Sequence, residues 1–188
     1  MTEDKQPSWV FGYGSLIYKV DFPYIERSVA SISGWSRRFW QGSHDHRGTP
    51  ASPGRVVTLI ETPGVVCKGL AYLVAPEVYD HLDYREKNGY SRHEVSIELH
   101  DRNAVVSGLL YVASEDNPAY LGPATLDELA LHIARSAGPS GTNHRYLSDL
   151  ARALHELESY DDHVHSLAER VEALRKADRG GGDLVDAR

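Results

Sequence analysis

The stretch Val10-Phe11-Gly12-Tyr13-Gly14-Ser15-Leu16-Ile17 joins an apolar, strand-like run to a turn that contains glycine. Glycine allows the backbone to approach a ligand closely, and successive amides in such a turn form a concave site that favours carboxylate or phosphate. The stretch therefore predicts a first β-strand followed by a turn that binds a small anionic group. An ordinary tight turn would explain the same residues, so residues elsewhere in the chain must decide between a structural turn and a binding turn.

Two common nucleotide-binding loops do not fit this turn. Gly12 and Gly14 match the first two glycines of the G-x-G-x-x-G fingerprint, but Ile17 stands at the third position. No strand, helix, strand pattern with a correctly spaced acid follows, and a Walker-type Gly-Lys-Ser/Thr is missing after the turn. A nucleotide-binding module is therefore the remotest of the candidate functions.

The composition predicts one soluble domain that acts on a small molecule. The 188 residues can bury a single core, and 41% hydrophobic with 25% charged residues is ordinary for a globular protein. A net charge of −7 argues against a nucleic-acid or anionic-membrane partner, because such surfaces select for clustered Lys and Arg. With no signal pattern or membrane-spanning run, we expect a cytoplasmic protein, with one domain at 1–178 and a flexible, glycine-rich tail at 179–188.

The order of the elements predicts an α+β fold whose C-terminal third is helical. Residues 43–54 contain too many glycines and prolines for a regular element and are expected to form a long loop, while Asp101-Arg102-Asn103 is typical of a hairpin turn. Strand-like runs occupy residues 8–13, 27–33, 35–41, 55–61, 67–74, 92–100 and 104–112, and helical spacing occupies 125–137, 143–157 and 160–177.

A short helix is predicted from Pro76 to Lys87, with Gly89 as its terminator. Val78 and Leu82 are four residues apart and define its inward stripe, and Glu86 falls four residues further on. A carboxylate that faces an apolar interior has its pKa raised by desolvation, as a general acid/base near neutrality requires. The alternative is that Glu86 pairs with a neighbouring arginine or frays at the helix end.

Other reactive side chains give weaker signals. Cys67 lies in an apolar, β-branched context, so a packed core thiol is favoured over a nucleophile. His44 and His46 could face one side of the chain, but no third ligand is evident, so no metal site is predicted. Ser15 and Ser140 lack the G-x-S-x-G elbow of a serine hydrolase, and Ser15 is expected to contact ligand instead.

Four arginines are concentrated in one part of this acidic chain. They are Arg37, Arg38, Arg47 and Arg55. They could form a local cationic patch for a substrate carboxylate, or they could lie on solvated strand faces.

Six segments resemble the ChaC-type γ-glutamylcyclotransferases, over a region from about residue 9 to about residue 155. No segment is specific by itself, but six in the same order with compatible spacing are not expected by chance. They are Phe11–Ile17, Asp45–Pro50, Pro53–Val56, Leu82–Tyr90, Tyr120–Gly122 and Gly138–Asn143. Tyr18 stands where many relatives have tryptophan, which exchanges one aromatic side chain for another.

The resemblance implies an enzyme that cleaves γ-glutamyl compounds, characteristically glutathione, releasing 5-oxoproline and, from glutathione, cysteinylglycine. It also implies a small mixed β-barrel with flanking helices, and neither a cofactor nor a metal. The residues it assigns to the site are Glu86 as the catalytic acid/base, and Tyr13, Gly14, Ser15, Leu16, Tyr90 and Tyr120 as substrate-binding residues.

The chemistry of the reaction agrees with this resemblance. The substrate's own α-amine attacks its γ-carbonyl, so the nucleophile is already tethered and the protein need not supply one. A single carboxylate such as Glu86 can take a proton from the ammonium group and return it to the leaving nitrogen. Backbone amides of the 13–16 turn can hold the α-carboxylate, and these amides or a tyrosine hydroxyl can donate to the oxyanion.

Two alternatives remain beside a glutathione-degrading enzyme. One is a cyclotransferase that acts on other γ-glutamyl amines or amino acids, and the other is a non-catalytic γ-glutamyl-binding protein. Contacts to the leaving group separate the first, and the loop with Arg47 and Arg55 is the expected place for recognition of a glycyl carboxylate. An inward-facing Glu86 argues against the second, because burying an ionisable group costs free energy and gives a pure binder no benefit.

Overall fold

A computed structural model describes residues 6–85 and 89–182. In chain order the elements are β1 (Ser8–Gly12), β2 (Glu26–Ser43), β3 (Gly54–Val74), α1 (Val78–Arg85), β4 (Tyr90–Leu99), β5 (Ala104–Ala113), α2 (Leu126–Arg135), β6 (Ala137–Gly138), β7 (Gly141–Thr142), α3 (Asn143–Glu156) and α4 (Asp162–Gly182). A short 3-10 turn spans Ser15–Ile17. Glu86, the expected acid/base, lies outside the described residues. None of the described helices is both long and apolar enough to cross a membrane.

Five of the strands form a closed barrel in the order β1-β3-β2-β4-β5. Neighbouring strands are antiparallel except β1 and β5, which pair in parallel and close the barrel with Trp9 opposite Gly108 and Val10 opposite Leu109. The mixed pairing confirms the small mixed β-barrel, and the helices that flank it confirm the α+β class.

The two longest strands each combine two of the short runs expected from sequence. β2 continues through Gly34 and β3 through Gly64, two glycines with positive φ angles of 86° and 83°. The register between the strands shifts between Ser33 and Trp35, which marks an irregularity of the β-bulge type. A bulge lets a strand bend without ending, so these glycines mark bends and not the strand breaks predicted from sequence.

The C-terminal third is helical, as the sequence predicts. Thr125 begins α2 with a capping box, in which its hydroxyl accepts from the Glu128 N–H and the Glu128 carboxylate accepts from the Thr125 N–H. The helix α4 continues to Gly182, so it includes the first four residues of the expected tail at 179–188. Glycine costs a helix only about 1 kcal/mol relative to alanine. The helix therefore continues beyond residue 177, where the helical spacing of apolar residues ends.

The side chains inside the barrel and between the barrel and its helices form one hydrophobic core. Val78 and Leu82 of α1 are buried in it, as their spacing predicts. Cys67 is also buried, and burial raises the pKa of its thiol. The location confirms a packed core cysteine, because a raised pKa keeps the thiol protonated and unreactive.

Candidate active site

An inner cavity lies where the turn after β1 meets β3, β4, β5 and α3. It contains the whole predicted Tyr13–Leu16 turn together with Tyr90, so it brings together two segments that are distant in sequence. None of its lining residues is charged. They are Phe11, Gly12, Tyr13, Gly14, Ser15, Leu16, Val57, Tyr90, Tyr111 and Tyr146.

The turn is held to the barrel by buried hydroxyl groups. The Tyr13 hydroxyl donates to the Tyr111 carbonyl at 2.7 Å, and the Tyr72 hydroxyl donates to the Leu16 carbonyl at 2.5 Å. Burial raises the pKa of Tyr72 to about 12, so this hydroxyl remains a donor at physiological pH. A Cβ atom at Gly14 would lie 2.9 Å from Val57 Cγ1, which explains why the turn needs glycine where it meets β3.

An outer groove adjoins the inner cavity. The two share Ser15, Tyr90 and Tyr146, so these three residues mark their junction. Unlike the inner cavity, the outer groove has charged side chains of both signs. Its remaining lining residues are Tyr18, Lys19, Asp21, Gln41, Gly42, Ser43, Asp45, His46, Arg47, Val56 and Ser140.

Arg47 is the arginine of the predicted loop that reaches the site. Its guanidinium lies over the ring of Tyr146, 5.6 Å from the centroid, and its Nη1 donates to the Thr142 carbonyl at 3.2 Å. An arginine on an aromatic face presents its remaining N–H edge in a defined plane, which suits recognition of a carboxylate. Arg47 therefore places a fixed positive charge beside the junction of the two cavities.

The 43–54 loop that carries Arg47 is packed against the turn between β6 and β7. The Ser140 N–H donates to the His46 carbonyl at 2.9 Å. A Cβ atom at Gly138 would lie 2.4 Å from the His46 carbonyl oxygen, so only glycine permits the two backbones to come this close. Buried Asn143 fastens the end of the loop, because its side-chain amide accepts from the Arg55 N–H and donates to the Arg55 carbonyl, both at 2.7 Å.

Arg55 does not lie where the sequence predicts. It lines neither cavity and is only 8% exposed. Its Nη1 donates to the carbonyls of Phe39 and Gly122, and its Nε donates to His132 Nδ1. These three partners hold the Arg55 side chain behind the loop, whereas the next two residues of β3, Val56 and Val57, line the outer groove and the inner cavity. The expectation that Arg55 binds substrate is corrected to a structural role.

Tyr120 also lies apart from both cavities. Its backbone forms an isolated bridge with Gln41, which does line the outer groove. Burial, with Glu115 contributing, raises the pKa of the Tyr120 hydroxyl. Tyr120 therefore lines neither cavity, and its role as a pocket tyrosine remains a prediction.

The four arginines do not form a single cationic patch. Arg37 is buried at 1% exposure, and the Arg38 guanidinium lies over the ring of Trp40. With Arg55 also buried, Arg47 alone of the four lines a cavity. Burial of Arg37 was hidden from the sequence because its anionic partner, Asp161, is 124 residues away.

The side chains of Asp45, His46 and Ser140 lie near one another, but their geometry is not that of a catalytic triad. His46 Nδ1 is 3.0 Å from Ser140 Oγ, whereas His46 Nε2 is 3.8 Å from Asp45 Oδ1, beyond hydrogen-bond range. The His46 and Asp45 side chains are 66% and 54% exposed, so no buried carboxylate orients the imidazole. Within residues 6–85 and 89–182, no three His, Cys, Asp or Glu side chains converge as around a metal ion.

Sequence reasoning missed Tyr146, which lies on α3 and lines both cavities. Tyr146 occurs in the apolar stripe of that helix with Leu147 and Leu150, so its spacing indicates only a core position. The signal that could have identified it is the high tyrosine content of 11 residues. Tyrosine combines a large apolar ring with a polar hydroxyl, which suits the wall of a binding pocket.

The protein is a small α+β barrel with an uncharged cavity at one end of β1 and a charged groove beside it. The family model for the ChaC-like protein matches residues 8–174. The chain belongs to the ChaC-like family, which confirms the resemblance found in the sequence.

Curated relatives cover most of the chain. It is 38% identical to the glutathione-specific γ-glutamylcyclotransferase of Saccharomyces cerevisiae, over 84% of this chain and 89% of that protein. It is 45% identical to γ-glutamylcyclotransferase 2-3 of Arabidopsis thaliana, over 87% of each. A crystal structure of the yeast γ-glutamylcyclotransferase specific to glutathione superposes with a TM-score of 0.83 at 36% identity, covering 90% of this chain and 97% of that one.

Proposed function

We propose that this protein is a γ-glutamylcyclotransferase that degrades glutathione to 5-oxoproline and cysteinylglycine. The observation that carries the proposal is the shared boundary of the two cavities at Ser15, Tyr90 and Tyr146. A γ-glutamyl group in the inner cavity and a cysteinylglycine group in the outer groove place the scissile amide at that boundary. The glutathione-specific names of the yeast and animal relatives support the same substrate.

The inner cavity suits the α-amino-acid end of the glutamyl group. Its lining residues carry no charge, so the α-carboxylate is stabilised by N–H dipoles of the Tyr13–Leu16 turn. The tyrosine rings provide apolar walls that hold the glutamyl methylene groups in a folded conformation. In that conformation the α-amine approaches the γ-carbonyl, because the cavity restricts rotation about the bonds of the glutamyl chain.

The reaction then needs a proton acceptor and a proton donor, but no protein nucleophile. The neutral α-amine attacks the γ-carbonyl carbon, the ring closes to 5-oxoproline, and the C–N bond to cysteine breaks. We assign the proton transfers to Glu86, which takes a proton from the α-ammonium and delivers it to the leaving nitrogen as the C–N bond breaks. The carboxylate then takes the second proton, which the attacking nitrogen loses as it becomes the lactam N–H, and passes it to the released amine. Glu86 lies outside the described residues, and its assignment rests on the ChaC resemblance and on its place in the chain four residues before Tyr90.

The outer groove suits the leaving dipeptide, whose end carries a carboxylate. Arg47 is the group that we assign to this carboxylate, because its guanidinium is fixed on the Tyr146 ring at the junction. A charge-assisted hydrogen bond from arginine to a carboxylate is stronger than a neutral one and adds directional specificity. This contact would favour glutathione over γ-glutamyl compounds that lack the glycyl residue.

We further propose that the protein acts in the cytoplasm as a single domain over residues 1–178, on a small molecule and without a nucleic-acid or membrane partner. The net charge of −7 supports this setting, since an acidic surface repels polyanions.

The first experiment measures 5-oxoproline release from reduced glutathione and from γ-glutamyl-alanine, with Glu86→Gln as the inactive control. Release from glutathione alone supports the proposal. Release from γ-glutamyl-alanine alone supports a cyclotransferase for other γ-glutamyl compounds. No release from either refutes the enzyme proposal for these substrates and favours a γ-glutamyl-binding role.

A further inference from the structure

Arg37 is a buried guanidinium that connects three distant parts of the chain. From β2 it donates through Nε to the Tyr13 carbonyl at 2.7 Å and through Nη2 to the Lys68 carbonyl at 2.5 Å. Its Nη1 lies 3.1 Å from Asp161 Oδ2, next to the start of α4. A buried arginine with these partners is well paired. Because it binds the Tyr13 carbonyl, it also fixes the position of the turn.

The bond to Tyr13 fixes the orientation of one peptide unit in the turn. In a trans peptide the C=O and the following N–H point in opposite directions within one plane. Because Arg37 Nε–H donates to the Tyr13 carbonyl, the Gly14 N–H of the same peptide unit points away from Arg37. Gly14 lines the inner cavity, where the proposed function requires an N–H donor for the α-carboxylate.

The two ends of the turn are therefore fixed in the same way. Arg37 holds the Tyr13 carbonyl at its start, and the Tyr72 hydroxyl holds the Leu16 carbonyl at its end. Donors that are fixed before the ligand arrives cost no reorganisation on binding, so they stabilise a bound anion more than mobile donors do.

Asp161 keeps the guanidinium in place. Its Oδ2 pairs with Arg37, and its Oδ1 accepts from the Val164 N–H in the first turn of α4. The same carboxylate therefore caps the C-terminal helix and neutralises the buried cation. This arrangement connects the position of α4 to the geometry of the turn.

We propose that Arg37 is a positioning residue for the substrate-binding turn, that its Nε–H fixes the Tyr13–Gly14 peptide with the Gly14 N–H toward the inner cavity, and that Asp161 secures it there. This inference rests on the proposed function, because it names the support of the site that receives the γ-glutamyl carboxylate. It adds a connection between the C-terminal helix and ligand binding.

The test compares Arg37→Lys with Asp161→Asn and with the control Thr58→Val. Arg37→Lys keeps a positive charge beside Asp161 but removes the Nε–H that donates to the Tyr13 carbonyl. Asp161→Asn keeps an acceptor for the Val164 N–H but removes the negative charge that pairs with Arg37. Thr58 is buried and hydrogen-bonds the Ala113 backbone between β3 and β5, and it lines neither cavity. Thr58→Val therefore reports the effect of a lost buried hydrogen bond that does not touch the turn.

Because the α-carboxylate is held equally in the ground state and the transition state, a misaligned donor raises KM and leaves kcat nearly unchanged. We expect Arg37→Lys to raise KM about tenfold, and Asp161→Asn about threefold, for glutathione and γ-glutamylcysteine alike. Thr58→Val should leave KM at the wild-type value while lowering Tm. Equal KM changes in Arg37→Lys and Thr58→Val, or wild-type KM in Arg37→Lys, would overturn the proposal.

A second measurement is independent of turnover. Amide hydrogen exchange should speed up at least about tenfold at Tyr13–Leu16 in Arg37→Lys, relative to the strands β4 and β5 of the same protein. Uniform exchange changes, or none in the turn, would overturn the positioning role even if the wild-type protein releases no 5-oxoproline. If Arg37→Lys does not fold, Asp161→Asn provides the same two measurements, and unchanged KM and turn exchange in that variant would reject the proposal.

Discussion

The inner cavity and the outer groove share a wall but differ in how they are built. The inner cavity is lined by uncharged residues of the barrel and the turn, including the helix and strand tyrosines Tyr90, Tyr111 and Tyr146, and the donors that we propose for the α-carboxylate are backbone N–H groups of the turn. The outer groove is lined largely by loops and has charges of both signs, including Lys19, Asp21 and Arg47. The difference suggests that the inner cavity governs what all γ-glutamyl substrates share, whereas the outer groove governs which leaving group is accepted.

The largest expected effect tests the chemistry at the boundary. Glu86→Gln keeps the size and hydrogen bonding of the side chain but cannot transfer protons, so kcat should fall by at least about two orders of magnitude. The decrease should be the same for glutathione and γ-glutamylcysteine, because both undergo the same ring closure. Steady-state 5-oxoproline release measures kcat, and calorimetric titration should show that ligand binding survives. Near-normal turnover would refute the assignment of Glu86.

The second prediction concerns the support of the shared wall. His163 Nε2 accepts from the Phe39 N–H at 3.1 Å, its ring stacks on Phe39, and Phe39 packs edge-on against Tyr146. Burial, with nearby Arg38 contributing, lowers the pKa of His163 to about 4. An unfolded histidine has a pKa of about 6.5, so the unfolded state binds the proton more readily, and folding is destabilised as the pH falls from about 6.5 to 4.

The expected loss is up to about 3 kcal/mol of the free energy of unfolding between pH 7 and pH 4. Urea unfolding at several pH values measures it. His163→Gln offers an acceptor that does not titrate, so its stability should depend less on pH over this window. If both proteins show the same pH dependence, His163 is not the group responsible.

The third prediction tests whether the outer groove discriminates leaving groups. Arg47→Met keeps an unbranched side chain against Tyr146 but removes the charge, so kcat/KM for glutathione should fall about tenfold to thirtyfold. The value for γ-glutamylcysteine, which lacks the glycyl residue, should change less than about threefold. Arg145→Met, on the exposed surface of α3, is the matched control. An equal decrease for both substrates would contradict the assignment of the glycyl carboxylate to Arg47.

The smallest expected effect lies where the two cavities meet. Ser15 lines both, and we expect its hydroxyl to hold the substrate in the ground state. Ser15→Ala should raise KM about threefold to tenfold for both substrates with kcat little changed. Separate measurement of KM and kcat distinguishes a ground-state role from a transition-state role. A decrease in kcat alone would show that Ser15 acts in the transition state.

Local patterns were sufficient for much of the site. The Tyr13–Leu16 turn lines a cavity and Cys67 is buried, as their local sequence predicts. Tyr90, which the family resemblance assigned to the site, lines the same cavity, and the binding roles of these residues remain predictions. The burial of Val78 and Leu82 also follows from helical spacing alone. These features depend on glycine in a turn, on period-3.6 spacing and on apolar context, all of which extend over a few residues. The position of Glu86 lies outside the described residues and remains a prediction.

The remaining features depend on strand register and on contacts between distant residues. The sequence by itself determined the glycine-containing turn after β1, the order of strands and helices, and the family, because short, contiguous motifs encode each of them. Only the tertiary structure decided that Arg47 lines the outer groove while Arg55 is buried, because the partners that hold Arg55 lie 16, 67 and 77 residues away in the chain. It alone brought Tyr146 to the cavity and Asp161 to Arg37, because no local pattern encodes a contact across 124 residues.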